Sequence, residues 1–398
     1  MTKANNASNS KPRMHTLLWP TRGQKRTLAM ALIVGSLAGC GVLTPPPTAR
    51  STEPPLAAPP RSEGTLAPSI LQAKSRWVAA PWSDLPGWSQ DALPEAWGAW
   101  MQSCQRPSTG AGAVCAEVQR LNGASLSAQQ QWLTQRFQPY RVETLQGASE
   151  GLLTSYYEPV MDASRLPRPG FAVPLYAVPI GLGQRKPWFT REEIETQASA
   201  RAALKGKELV YLADPVDAMV LHIQGSGRIR VTEADGRVRT VRLAFAGTND
   251  HPYKSIGSWL LEQGLTRDAT WPGIKAWIAK NPQRVNELLW KNPRVVFFKE
   301  ESLAGVAAEL GPKGAQGVPL TAGRSIAVDP GSIPYGTPVW LASSGAQAQL
   351  QKLVLAQDTG SAIVGGIRAD YYSGSGVAAG ELAGRLKQPL RLWVLLPR

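Results

Sequence analysis

Asp329, Asp358 and Asp370 each stand where an apolar run meets a glycine-rich turn. Asp329 closes "SIAVD" before Pro330-Gly331, and Asp358 closes "LVLAQD" before Thr359-Gly360. Asp370 lies in "IRADYY". Any one of them is explained by turn chemistry, because an Asp side chain bonds the amides that follow it. Three in one short stretch can converge on one mouth. Convergence would raise the pKa of at least one by mutual repulsion and leave a proton donor at neutral pH. Arg368 and Arg324 are near in sequence, and either would pull the other way.

Asp358-Thr359-Gly360-Ser361 is also the string of aspartic proteases. Those enzymes share one proton between two carboxylates from two equivalent halves. This chain has one Asp-Thr-Gly-Ser and no second copy, and Arg368 and Asp370 follow it almost at once. Thr359-Gly360-Ser361 reads better as a tight turn. Other chemistry is poorly supplied. Beyond the first forty or so residues only His222 and His251 remain, with no Cys-x-x-Cys. That argues against a metal site and against Ser/His/Asp catalysis. There is no P-loop, and Gly374 to Gly380 misses the dinucleotide spacing by one residue. No cofactor is expected.

Further candidates are weaker. Gln224-Gly225-Ser226-Gly227 sets an amide and a hydroxyl beside open backbone, which suits sugar hydroxyls and N-acetyl groups. It reads equally well as a β-turn. Tyr156, Tyr157 and Glu158 are candidates to line a groove, and Glu158 would permit a two-acid mechanism. His222 sits in an apolar run read as a strand, as a core histidine. Asp162 and Asp217 read as structural, and "FFKE" (297–300) as a core strand with solvated charges after it.

The elements that must position these residues are short. Leu93, Trp97, Trp100, Met101 and Cys104 fall at helical spacing and predict a helix over 92–105. Further helices are expected over 127–137, 255–263 and 283–290. "FAVPLYAVP", "DAMVLHIQGSGRIRV" and "RTVRLAFAG" read as β-rich, and the C-terminal part returns to short strands such as "RSIAV", "TPVWLA", "LVLAQ" and "LRLWVLL". Such strands with Gly/Pro turns point to a small barrel rather than a doubly wound sheet. Fourteen tryptophans against six phenylalanines suit stacking on sugar rings, though any single Trp is read as core.

The N-terminus reads as a targeting segment. Six basic residues precede the apolar run Leu28 to Val34, which is too short to span a membrane. Leu37-Ala38-Gly39-Cys40 resembles a bacterial lipobox, in which Cys40 is lipidated and residues 1–39 are removed. Gly41, not Asp, follows Cys40, which favours sorting to the outer membrane. Residues 40–76, rich in Pro, Ala, Ser and Thr, read as a tether, with folded structure beginning near Trp77. Residues 1–39 hold six of the 43 basic residues and none of the 29 acidic ones, so a net charge of +14 becomes +8. That balance favours an acidic partner surface, and an exported lipoprotein would not meet nucleic acid. An oxidising compartment makes a Cys104–Cys115 disulfide the default.

The whole pattern resembles the membrane-bound lytic murein transglycosylase A family. "LTAGRSIAVDPGSIPYGTPVWLAS … LVLAQDTGSAIVGGIRADYYSGSG" is similar to the 3D domain, named for three aspartates. "LTSYYEPVMDASR", "DPVDAMVLHIQGSGRIRV", "GTNDHPYKSIGSWL" and "NPRVVFFKE" come in that family's order, and "LPGW" and "SCQR" match upstream. The resemblance implies a mainly β fold: a six-stranded double-psi β-barrel (77–160 plus 306–398), a smaller inserted β domain (161–305) and several short helices. Glycan would lie between the two. It also implies one catalytic acid, Asp370, supported by Asp358 and Asp329. Asp370 would give a proton to the glycosidic oxygen between N-acetylmuramic acid and N-acetylglucosamine, then take one from the muramoyl C6 hydroxyl. The C6 oxygen closes on C1 as a 1,6-anhydro ring, without water. Tyr157, Gln224, Gly225, Ser226, Thr359, Gly360 and Tyr371 are the expected substrate contacts. Expected partners are peptidoglycan strands, a lipid anchor in the outer membrane facing the periplasm, and cell-wall synthesis proteins. The alternatives are a muramidase-type hydrolase pairing Asp370 with Glu158 or Asp358, and a non-catalytic wall-binding lipoprotein.

Overall fold

The computed structural model describes residues 67–108 and 110–398. The expected leader, Cys40 and most of the expected tether lie outside the described residues. Strand β1 (Ile70–Leu71) pairs with β2 (Arg76–Ala79), so ordered structure starts earlier than Trp77. Helices α1 (Leu93–Ser103), α2 (Gly112–Arg120) and α3 (Leu126–Arg136) follow. α1 buries Leu93, Ala96, Trp97 and Trp100 on one stripe, the spacing that predicts it. Cys104 and Cys115 form a disulfide that ties the end of α1 to α2. The chain then runs through β3 (Phe137–Glu143) and β4 (Gly151–Glu158).

From residue 160 the chain leaves for a second sheet. It forms β5 (Val160–Ser164), β6 (Val173–Tyr176), α4 (Arg191–Thr196), α5 (Ala198–Leu204) and β7 (Glu208–Leu212). Next come α6 (Pro215–Gln224), β8 (Ser226–Thr232) and β9 (Val238–Thr248). Helices α7 (Ile256–Glu262), α8 (Trp271–Lys280) and α9 (Val285–Trp290) lead into β10 (Val296–Ser302). The last stretch holds β11 (Ser325–Val328), β12 (Pro338–Ser344), β13 (Gln349–Asp358), β14 (Arg368–Ser375), α10 (Gly376–Arg385) and β15 (Lys387–Pro397).

Six strands close on themselves in the order β4, β15, β12, β13, β11, β14 and back to β4. This is the expected six-stranded barrel, and β3, β2 and β1 extend from β15 beside it. The inserted sheet runs β10, β9, β8, β5, β7, β6. Side-chain alternation along each strand builds two cores at once. On β12, Val339 and Leu341 join one cluster with Val354 and Ala356 of β13. Trp340 and Ala342 face the other way, with Leu353 and Leu355, onto α1–α3.

One segment differs from the β-rich reading. "DPVDAMVLHIQ" is the helix α6 and only Ser226 onward is strand. Its apolar run matches a buried strand as well as a buried helix. The ends decide it. Asp214 accepts from Val216 N at 2.8 Å, Pro215 opens the first turn, and Gly225 closes the helix at φ 79°. His222 therefore lies on a helix, not a strand.

Candidate active site

The register of the barrel strands brings the aspartates together. Asp370 of β14 stands opposite Thr154 of β4 on one side and Ala327 of β11 on the other. Ala327 in turn stands opposite Asp358 of β13. That pairing depends on a register shift between Ile326 and Ala327, which places Asp358 rather than Gln357 beside Ala327. Thr154, Asp370, Ala327 and Asp358 thus form one row across four strands. Two inter-strand steps put the two aspartate backbones about 10 Å apart, with only a methyl group between them.

Each carboxylate has its own partners. Asp370 Oδ1 accepts from the Thr154 hydroxyl and lies 3.7 Å from the Arg368 guanidinium. Arg368 also donates to Thr154 at 2.7 Å. All contacts to Asp370 from these groups fall on Oδ1. Asp358 is engaged on both oxygens: Ala315 N donates to Oδ1 and the Tyr156 hydroxyl to Oδ2, each at 2.9 Å. Burial pushes Asp358 up to about 6, against the pull of its hydrogen bonds, and the Asp370 charge adds a smaller upward push. Burial pushes Asp370 up as well, against Thr154 and Arg368. Burial therefore leads, where mutual repulsion was expected to. Arg324 plays no part here: it is buried against Asp91 at 2.9 Å and Glu95 at 2.8 Å, clamping α1 to the barrel.

Asp358 and Asp370 open onto a groove of about 520 Å³ between the barrel and the inserted domain. Gln224, Gly225, Ser226, Thr359 and Gly360 line it. Gln224 also accepts from Tyr157 N at 3.0 Å, fastening the end of α6 to β4. Three expected residues lie elsewhere. Asp329 accepts from Gly331 N at 2.9 Å and Gly365 N at 2.8 Å. It pins the loop that carries Thr359 and Gly360, as a turn residue. Tyr157 packs on α10 at Gly380, and alternation along β4 gives the groove position to Tyr156. Tyr371 is turned into the barrel core beside Asp370, its hydroxyl donating to Gly323 O at 3.1 Å.

Glu158 is no second acid for the groove. It is fully buried, with Arg242 Nε at 2.5 Å, Arg228 Nε at 2.8 Å and the Ser375 hydroxyl at 2.9 Å. Among the described residues no Trp lines the groove, and its aromatic groups are Tyr156, Phe245 and Tyr253. Many tryptophans pack instead around α1–α3, as in the Trp97–Trp100–Trp132 cluster, and Trp188, Trp259, Trp271 and Trp277 pack in the inserted domain. Phe245, half exposed on β9, was missed. Its strand carries a bulge against Phe297/Phe298, a feature no sequence pattern announces. Asp162 and Asp217 bond Arg230 and Lys275 on the surface.

A closed barrel with two half-buried carboxylates at its mouth, facing an inserted β domain across a groove, is the architecture of a 3D-domain protein. The 3D domain description matches residues 324–396, and the description "MltA specific insert domain" matches residues 152–299. The lytic transglycosylase LtgG of Burkholderia pseudomallei is 42% identical, over 84% of this chain and 98% of that one, with a TM-score of 0.56. The membrane-bound lytic murein transglycosylase A of Vibrio cholerae is 34% identical over 61% of this chain. That match spans 65% of the Vibrio protein's length. The MltA structure of E. coli with bound chitohexaose is 26% identical, with a TM-score of 0.65 over 81% of this chain and 94% of that one. The chain belongs to the membrane-bound lytic murein transglycosylase A family.

Proposed function

We propose that this protein cleaves peptidoglycan as a lytic transglycosylase, with Asp370 as the only group that moves protons to and from the substrate. Protonated Asp370 donates to the oxygen between N-acetylmuramic acid and N-acetylglucosamine as the C1–O bond breaks. The Asp370 carboxylate then takes the proton of the muramoyl C6 hydroxyl, and the C6 oxygen bonds C1. The product is the 1,6-anhydro ring, and no water is consumed, so the second carboxylate of a hydrolase is not needed. The asymmetry of the two aspartates carries this reading. Asp370 has its Thr154 and Arg368 contacts on Oδ1, which leaves Oδ2 for the substrate, whereas both oxygens of Asp358 are taken. Asp358 holds the local field and Asp329 holds the loop. The E. coli relative's structure with chitohexaose supports a glycan in the groove.

The relatives' names support membrane attachment, which here rests on lipid at Cys40. Among the described residues no helix is long and apolar enough to cross a membrane. The proposed setting is the outer membrane, facing the periplasm and its cell-wall synthesis proteins.

The reaction is tested with protein starting at Gly41, purified peptidoglycan and mass spectrometry of released muropeptides. Products one water lighter than hydrolysis products, with no reducible muramic end, are expected. Reducible ends would make the protein a hydrolase.

The pH profile gives a second check. Burial raises both aspartates above the ordinary carboxylate range, Asp358 to about 6. Because Asp370 must start protonated, its raised pKa should hold kcat/KM steady through the ordinary carboxylate range, with a fall of about tenfold per unit only above it. Thr154→Val removes a donor that stabilises the Asp370 carboxylate, so the falling limb should move to higher pH. A limb that stays put, or moves to lower pH, contradicts the assignment.

A further inference from the structure

Two arginines of the inserted wall make no ion pair among the described residues, while Glu301, the acid that lines that wall, pairs with Lys299 at 2.9 Å. Arg191, at the start of α4, is 6% exposed. Its guanidinium donates to Asn292 O at 3.2 Å, to Arg294 O at 2.7 Å and to His222 Nδ1 at 2.9 Å. None of these acceptors is a carboxylate. Arg294 donates Nη1 to His251 O at 3.1 Å, and it too makes no ion pair among the described residues. Guanidinium groups stay charged in proteins, and buried ones are ordinarily paired. Arg228 and Arg242 obey that rule by sharing Glu158. Arg191 breaks it beside a groove, and the half-buried Arg294 next to it makes no ion pair either. His222, Asn292 and Arg294 all line that groove, and all three are tied to the same buried cation.

The contact with Arg191 also fixes the state of His222. A guanidinium has donors only, so Nδ1 must accept and the ring proton sits on Nε2. Burial and the neighbouring Arg191 charge hold the ring neutral, well below the usual histidine range. The imidazole lies on the Phe298 ring at 5.6 Å, which limits its rotation. His222 therefore brings a fixed N–H donor, backed by a full positive charge, to a groove-lining position.

We propose that His222, Asn292 and Arg294 form an anion subsite of the groove, and that this subsite takes a carboxylate of the substrate. The Arg294 guanidinium beside the neutral N–H of His222 matches a carboxylate in charge, and Asn292, whose amide donates to Met219 Sδ at 3.2 Å, accepts from Arg294 N and holds it in place. The assignment rests on the glycan reading given above. Muramic acid carries a lactyl group that ends in a carboxylate or continues into an acidic peptide. A chain of N-acetylglucosamine has neither. The subsite would therefore select muramoyl strands over chitin-like ones.

Binding tests this without turnover. Full-length Asp370→Asn protein is titrated with peptide-bearing strands, with amidase-treated strands that keep only the lactyl carboxylate, and with chitohexaose. Strands with a carboxylate should bind about tenfold tighter or more than chitohexaose, the scale of a lost charge-assisted bond. The preference should shrink at high salt. Adding Arg294→Gln should collapse the ratio toward one. Preference for both muramoyl substrates identifies the lactyl carboxylate, and preference for peptide-bearing strands alone identifies the peptide's. A ratio near one at the outset, or one that survives Arg294→Gln, overturns the proposal. Should Arg294→Gln not fold, His222→Phe carries the same test, and the 15N shifts of His222 give another. A ring proton on Nδ1 would also overturn it. Because the readout is affinity, it holds whether product analysis finds a transglycosylase or a hydrolase.

Discussion

Asp370→Asn should reduce peptidoglycan cleavage by at least about a thousandfold while retaining binding to the cell wall. One positioned acid or base contributes about a hundredfold to ten-thousandfold, and here the same group serves as both. Asn is close in shape to Asp, so the bonds to Thr154 and Arg368 have a partner to keep, and the strand pairing of β14 with β4 and β11 is unaffected. The expected substrate contacts at Gln224, Ser226 and Thr359 lie on other elements. Initial rates of muropeptide release, beside a pull-down on purified sacculi, separate the two functions. Asp358→Asn should be the milder change, because that side chain faces protein donors on both oxygens. The opposite ranking would exchange the roles of the two residues. Loss of binding in Asp370→Asn would mean that the side chain holds substrate rather than transferring a proton.

The sequence made the barrel and its acids legible because both follow short-range rules. Alternation on β12 and β13 and the turn chemistry after each Asp are local patterns. The helical stripe of α1 and the Cys104–Cys115 bond are similarly local. What stayed hidden depends on long-range register. The shift between Ile326 and Ala327 sets which residue joins Asp370 in the groove, and no window of sequence contains both strands. The choice of Tyr156 over Tyr157 follows from which face of β4 meets the groove. The sign of Arg324 and Arg368 near the acids had the same origin: one was spent on Asp91 and Glu95, the other stayed. The helix α6 was readable, since Asp214, Pro215 and Gly225 mark its ends, but the apolar run between them outweighed those marks.

Glu158 is the residue whose loss should cost the fold most. It ends β4, yet its carboxylate is held by Arg228 of β8 and Arg242 of β9, and by Ser375 of β14. The same two arginines bond Ala308 O and Leu310 O, where the chain returns toward the barrel. One buried anion therefore joins barrel, insert and connecting segment. Glu158→Gln keeps the volume but leaves two guanidiniums with no counter-charge, and breaking a buried pair in this way costs about 3–5 kcal/mol. Urea unfolding should show the unfolding free energy falling by that amount, with a lower midpoint, well beyond the change for an exposed pair such as Arg230–Asp162. Thr154 and Tyr156, which hold Asp370 and Asp358, stand on the same strand, so activity should fall with stability. The mechanism makes a further demand. If the loss comes from stranded charge, replacing Glu158, Arg228 and Arg242 together with apolar residues of similar volume should restore much of the stability that Glu158→Gln removes. If the triple variant is no more stable than Glu158→Gln, the lost hydrogen bonds and not the charges are responsible.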